Sequence, residues 1–492
     1  MKQPARTLLT LAAVAAFFSS ATGVVPAAEL TGVDADARWQ LARQLAREKN
    51  DRELVRRVER ARQPVKAALV AGKPADAEAA LREIETAVGI DPGGWSMGGL
   101  KIFHPMPAMF SRRDEMHRAL DAAMAKGDVS EVHAAVAGMR KTLGDQAGLP
   151  DARRPGARAK PHPLSEAGAV DLFLAALKSE DKSVREIAAG WPVGNNMLRL
   201  YADIIQGCCD IRPAVRKRQP QRLADLDRLV AGACSILTRL QQPAGCFPLP
   251  DLRGKNIRFG DMTEKLLAAQ PDGVKDGWVV AVDPGGGTQF DNGVCGVALL
   301  AAGAEYKRDE WTRAGLRAAD WALQQRCVPN FNYNAFSVGL LAHASRMTRD
   351  DRYLSGALQK LRLGVAPGQV ENGRWIDAHN ARTVYHLIIL RALHDLWEAL
   401  PSAQTAARDE VARVATKAVA ALLDEYAAAG ITATALAELL RHQTLNPKPD
   451  PRLRGAIEMT ASVIYEKCAR DSRVRAGASF TEMAALARAW NP

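Results

Sequence analysis

The chain has 492 residues, 47% of them hydrophobic and 25% charged, with a formal net charge of +11. This length buries a large core and allows about three domains or one long helical array. The basic balance favours acidic partners such as uronate polysaccharide, nucleic acid or an anionic surface, through long-range attraction that says nothing about fold. The seven cysteines, Cys208, Cys209, Cys234, Cys246, Cys295, Cys327 and Cys468, are too few for a disulfide scaffold. With no C-x-x-C pair and no nearby histidine pair, they do not form a structural zinc site either.

At the N-terminus, Lys2 and Arg6 precede an apolar run from Leu8 to Phe18 and a small-residue stretch, V-P-A-A. This is the pattern of a bacterial-type export signal over residues 1–28, with cleavage after Ala27 or Ala28. The run is shorter than the roughly 20 residues a spanning helix needs. The expectation is a periplasmic or secreted protein with no transmembrane segment. Removing Lys2 and Arg6 leaves the mature chain at +9.

Residues 29–160 read as an N-terminal helical region ending in a linker. Val55, Val58, Ala61, Val65 and Leu69 recur at three- and four-residue steps. From Arg38 to Arg62, arginines alternate with Glu48, Asp51, Glu53 and Glu59, which predicts a solvated, ion-paired helix face rather than a nucleic-acid patch. No nucleic-acid motif is present. Pro150 to Pro163 is rich in Arg, Pro, Gly and Ala and reads as the linker to a second region, 161–492.

In that second region Leu223, Leu226, Leu229, Val230, Ala233 and Leu237 mark another helix. A repeat then begins. A small-residue helix from about Asn292, the turn K-R-D-E-W and an amphipathic helix to about Gln325 are followed by a helix from about Asn334, the turn T-R-D-D-R-Y and a helix to about Leu363. A third helix from about Ala381 precedes another from about Ala403, and Asp309 and Asp350 lie 41 positions apart. That interval suits stacked helical hairpins with one buried helix per pair. Convincing strands are scarce, so the fold class is all-α.

Three polar loops precede the buried helices: D-P-G-G-G-T-Q-F-D from Asp283 to Asp291, P-N-F-N-Y-N from Pro329 to Asn334, and D-A-H-N-A-R from Asp377 to Arg382. Parallel placement of those helices brings the loops to one rim. Together with L-Q-Q-P-A-G-C-F-P-L-P-D (Leu240 to Asp251), T-R-D-D-R-Y-L and N-G-R-W, these features resemble the (α/α) toroid, complete or incomplete, of polysaccharide lyases and unsaturated-uronide hydrolases. The likeness covers roughly Leu223 to Leu400. It implies an anionic oligo- or polysaccharide as partner and no cofactor or metal. The chain lacks an N-N-H-S-Y-W string of the alginate-lyase type; its nearest counterpart, N-F-N-Y-N-A-F-S, has no histidine.

Eliminating a uronate glycosidic bond requires offsetting the carboxylate, removing the acidified proton and protonating the leaving oxygen. Candidates for these steps are His379, Arg382, Tyr385, His386 and Tyr333. Arg382, Tyr385 and His386 share a helical stripe by three- and four-residue spacing. Candidate substrate contacts are Asp283, Asp291, Asn330, Asn332, Asn334, Trp375 and Asn380. Helix capping by Asp377, Asn380, Asp283 or Asp291 and simple packing of Tyr385 and His386 explain the same residues. The alternatives to a lyase are a glycoside hydrolase with Asp283 and Asp291 as its carboxyl pair, or a non-catalytic helical scaffold that binds glycan or protein.

Overall fold

The computed structural model describes residues 51–91, 94–97, 100–102, 107–144, 147–149, 156–162, 165–179, 181–190, 198–251, 263–264, 266–275, 278–283, 285–470 and 479–489, with Arg253 and single positions between 35 and 46. The export segment expected over residues 1–28 lies outside these residues. Helix dominates and strands are few, so the chain is all-α. No described helix is long and apolar enough to cross a membrane. The chain separates into two compact units: a smaller one holding residues 22–119 and 150–155, and a larger one holding residues 120–149 and 156–492.

In the smaller unit, helix α1 (Arg52–Val70) starts where the Asp51 carboxylate accepts the N–H groups of Glu53 and Leu54. Helix α2 (Pro74–Ala87) opens on a proline, whose missing N–H costs nothing in a first turn. Val58, Val65, Leu81 and Ile84 form the core between them. Trp39 joins that core, donating its Nε1–H to the Val58 carbonyl at 2.6 Å and lying 4.7 Å beneath the Arg62 guanidinium. The alternating charges form the expected paired surface, with Arg43–Glu59, Arg57–Glu83 and Arg60–Glu53 bridges. Three short antiparallel strands follow in sequence order: β1 (Ile90–Asp91), β2 (Gly94–Met97) and β3 (Leu100–Ile102).

Next comes α3 (Pro107–Lys126), which the larger unit shares from Leu120, then α4 (Val129–Leu143), α5 (Glu166–Ser179), α6 (Asp181–Ala188), α7 (Arg199–Arg218) and α8 (Leu223–Leu240). A small sheet, in the order β4 (Leu249–Pro250), β6 (Trp278–Val279), β5 (Val274–Lys275), precedes α9 (Gly287–Tyr306) and α10 (Asp309–Gln324). The chain continues through α11 (Phe331–Thr348), α12 (Asp351–Gly364), α13 (Thr383–Ala399), α14 (Thr405–Ala429), α15 (Leu436–Leu445), α16 (Leu453–Arg470) and α17 (Phe480–Arg488). All seven cysteines are free thiols.

Six of the described helices touch in a closed cycle: α7 meets α9, then α11, α13, α15 and α17 follow in turn, and α17 returns to α7. Each has a companion: α8, α10, α12, α14 and α16 for the first five, and for α17 the helix α5 from the far end of the unit. Neighbours in the cycle are parallel. Arg199 at the start of α7 reaches Asp291 near the start of α9, and Gly293 in α9 packs on Phe336 in α11. Companions are antiparallel, as Gly303 late in α9 against Thr312 early in α10 shows.

The sequence explains which helix takes which place. Helices α9 and α11 bury residues around their whole circumference, whereas α10 and α12 bury one face and expose the other. Closure depends on capping. The Asp203 carboxylate of α7 accepts the Phe480 N–H at 2.9 Å and the Thr481 hydroxyl at 3.0 Å, and Glu482 of α17 accepts the Leu436 N–H of α15 at 2.6 Å. Gly207 admits α17, because a Cβ there would lie 2.6 Å from the backbone of Phe480.

The division expected at residue 160 falls elsewhere. Helix α4 belongs with the larger unit, held by the Arg140–Glu371 bridge and by the Gly148 N–H on the Ile376 carbonyl at 2.9 Å. Part of the expected linker is tied down as well. Ala157 exchanges backbone hydrogen bonds with Ile431, and His162 stacks on Tyr465 at 3.9 Å.

Two enclosed groups give opposite pH dependences. Burial pushes the Glu482 carboxyl up to about 7, so the folded chain keeps a proton that the unfolded chain loses above its ordinary value; this contribution to stability is full at low pH and falls as pH rises toward 7. Burial, then His394, pushes His442 down to about 4, so its contribution falls as pH drops from the ordinary histidine range toward 4. Between about pH 4.5 and 6.5 the two offset each other. Glu482→Gln removes one of them. The variant is expected to lose melting temperature on acidification more steeply than the parent over this window, and parallel pH–melting curves would contradict the assignment.

Candidate functional site

Parallel packing of the cycle brings the starts of α7, α9, α11 and α13 to one end, and most of the polar candidates gather there. The Gly-rich loop is shaped by Asp283, whose carboxylate accepts the N–H groups of Gly285 and Gly287, each at 2.8 Å. Gly286 takes the left-handed conformation at φ 90°, which only glycine adopts without strain, and α9 starts directly after it. Asp283 therefore fixes the turn that leads into α9, with both oxygens engaged.

Asp291, one turn into α9, is fully buried. Arg199 grips it through two bonds of 2.8 Å, one from Nε and one from Nη2. The same guanidinium lies 3.4 Å over the centroid of Phe290, which stacks on Phe336 at 4.1 Å. Phe290, Val328, Tyr333 and Tyr385 form one apolar cluster, with Val294, Phe336 and Ile388 against it. Arg199 and Phe336 are the members that sequence reasoning missed. An arginine opening a helix gives no local signal, and Phe336 looks like any core residue.

Tyr333 sits in this cluster within electrostatic reach of Asp283, Arg199, Tyr385 and Asp291. Burial, then Asp283, pushes its phenol well above the ordinary tyrosine value and keeps it protonated. Tyr385 is equally enclosed, with the half-buried His379 ring stacked on it at 4.0 Å. The Arg382 guanidinium lies 6.0 Å from the same tyrosine ring. Tyr333, Tyr385, His379, Arg382 and Asp291 are thus brought together. Asn330, Asn332 and Asn380 join them through one hydrogen-bonded amide cluster at the adjoining rim.

Three other candidates are committed to the framework. His386 turns toward α14, where its Nε2 lies 2.8 Å from the Ala418 carbonyl; burial, then Arg374, holds its pKa well below the ordinary value, so it is neutral there. Trp375 is fully buried, donates to the Val365 carbonyl at 2.9 Å and packs edge-on against His386. Asn334 accepts the Val328 N–H and donates to the Val328 and Gly364 carbonyls, which fixes the loop before α11.

The Arg199–Asp291 pair generates a double-mutant test. Arg199→Ala leaves a buried carboxylate without its cation, a loss of about 3–5 kcal/mol. Adding Asp291→Asn is expected to recover part of that loss in chemical denaturation. Additive costs in the two single variants and the double would contradict direct coupling.

No protein-family model and no curated protein matches this chain.

Proposed function

We propose that the chain is an exported protein acting on uronate-containing carbohydrate by β-elimination, and that its closed helix cycle is a six-hairpin (α/α) toroid with the substrate mouth at the helix starts. The observation that carries this reading is the meeting of a histidine, two enclosed tyrosines and an arginine at the starts of neighbouring parallel helices. These are the groups an elimination needs.

In this mechanism Arg382 offsets the uronate carboxylate, which acidifies the adjacent C–H. His379 takes that proton, the electron pair forms a carbon–carbon double bond, and the glycosidic C–O bond breaks. Tyr333 or Tyr385 delivers a proton to the departing oxygen. Burial that raises the Tyr333 pKa suits a proton donor, because it keeps the phenol loaded at neutral pH. A hydrolase would need two carboxyls able to face a sugar, whereas Asp283 is spent on the turn into α9 and Asp291 on Arg199.

Incubation with polyuronates is expected to produce the ultraviolet absorbance of the new double bond. His379→Ala, Tyr333→Phe and Tyr385→Phe are each expected to lower that rate by roughly 10²–10⁴-fold with melting unchanged. Full activity in all three variants would remove these roles. New reducing ends without absorbance would replace elimination by hydrolysis, and saturable binding without products would make the chain a glycan-binding scaffold.

A further inference from the structure

One face of α13 stays accessible although the helix is enclosed. Its flanks meet α11 and α15, and α14 covers its back. Val384, Ile388 and Arg391 follow one another at four- and three-residue steps, which places them on one face. Val384 is 46% exposed, Ile388 is partly buried and the Arg391 side chain is 41% accessible. With its other sides covered, this face looks toward the axis of the helix cycle.

A side chain from the far wall agrees. In the cycle α7 stands across from α13, and Asp210 of α7, whose side chain is 37% accessible, lies within electrostatic reach of Arg391. Two helices that are not neighbours thus turn accessible charges toward one space. One turn nearer the mouth, Ile388 joins the apolar cluster that includes Val294 of α9 and Phe336 of α11, so the wall of this space continues into the candidate site.

Arg391 is braced and still has donors to offer. Its Nε donates to the Glu438 carboxylate at 3.2 Å, and neither Nη meets an acceptor among the described residues. Glu438 also receives Arg441 and His394, so Arg391 is not its only partner. Asp210 has its own cation in Arg488 at 3.8 Å. A guanidinium held at Nε presents its two Nη groups as a fork, the geometry that grips a carboxylate through two bonds.

Resting on the carbohydrate reading above, we infer that the axis of the cycle holds a second carboxylate subsite, in which the Arg391 fork takes a uronate unit beyond the one at the mouth. Glu438 is its positioning residue. Arg391 lies nine positions beyond Arg382, about 14 Å deeper along α13 at the helical rise, so a chain held at the mouth meets it with a later unit. The subsite selects for acidic units in succession.

The test is calorimetric titration of the full chain with a uronate oligomer and with the same oligomer after its carboxyls are reduced to alcohols. Arg391→Gln is expected to weaken the acidic oligomer by roughly ten- to a hundredfold, the range for hydrogen bonds to a charged group, and to leave the reduced oligomer unaffected. If Arg391→Gln lowers melting, Arg391→Lys serves instead: it keeps a cation beside Glu438, loses the fork, and is expected to weaken the acidic oligomer alone by a smaller factor. Undiminished binding of the acidic oligomer, or an equal loss for both oligomers, overturns the subsite while the carbohydrate reading stands. A parent chain that does not bind the acidic oligomer overturns both.

Discussion

Helices with no solvent face can assemble only if neighbouring backbones come close, and this constraint governs the larger unit. In α9, a Cβ on Gly293 would sit 2.7 Å from Phe336 of α11; in α11, a Cβ on Gly339 would sit 2.9 Å from the Asp395 carboxylate of α13. Each such glycine weakens its own helix by roughly 0.5–1 kcal/mol. Burial of neighbours such as Leu299, Leu340 and Leu393 offsets it, at about 25 cal/mol per Å² of apolar surface. Because the close contacts fall at matching heights in parallel helices, the helix starts stay level, and that level end is the candidate mouth.

The buried charges between α11, α13 and α15 are paired. His343 and Arg441 both bond Asp395, while Glu438 receives His394 at 2.6 Å together with Arg391 and Arg441. Burial alone would raise the Glu438 carboxyl, but Arg441 and His394 outweigh it and pull the group down to about 2. His394 in turn meets His442 at 3.2 Å, which extends the chain of contacts from Glu438 through His394 to His442. These residues join α11, α13 and α15 with geometry that apolar packing would leave free. They are matched to one another, and so they bind the helices together.

Much of the fold was legible because periodicity reports burial directly. The 41-residue offset between Asp309 and Asp350 is real: both open companion helices, at the first residue of α10 and the cap of α12. The convergence of the three polar loops also followed from hairpin logic. Cycle closure was not legible, because it depends on Asp203, Gly207, Phe480 and Glu482, residues nearly 280 positions apart that carry no shared pattern. Arg199 was invisible for the same reason, since its partner lies 92 positions away. The stripe of Arg382, Tyr385 and His386 was a half-truth. Successive helical residues diverge by about 100°, so Tyr385 turns into the Phe290 cluster while His386 turns to the Ala418 carbonyl.

That divergence bears on chemistry. A proton-transfer pair needs two groups on one side of the helix, and position 385 finds its partner in His379, from the loop before α13, rather than in the adjacent histidine. The loop holds His379 beside Asn380, whose amide Asp377 fixes, so this carboxylate also braces the backbone carrying the proposed base. One short turn, Asp377 to Arg382, therefore holds three groups at fixed spacing: the Asn380 amide, the His379 ring and the Arg382 guanidinium.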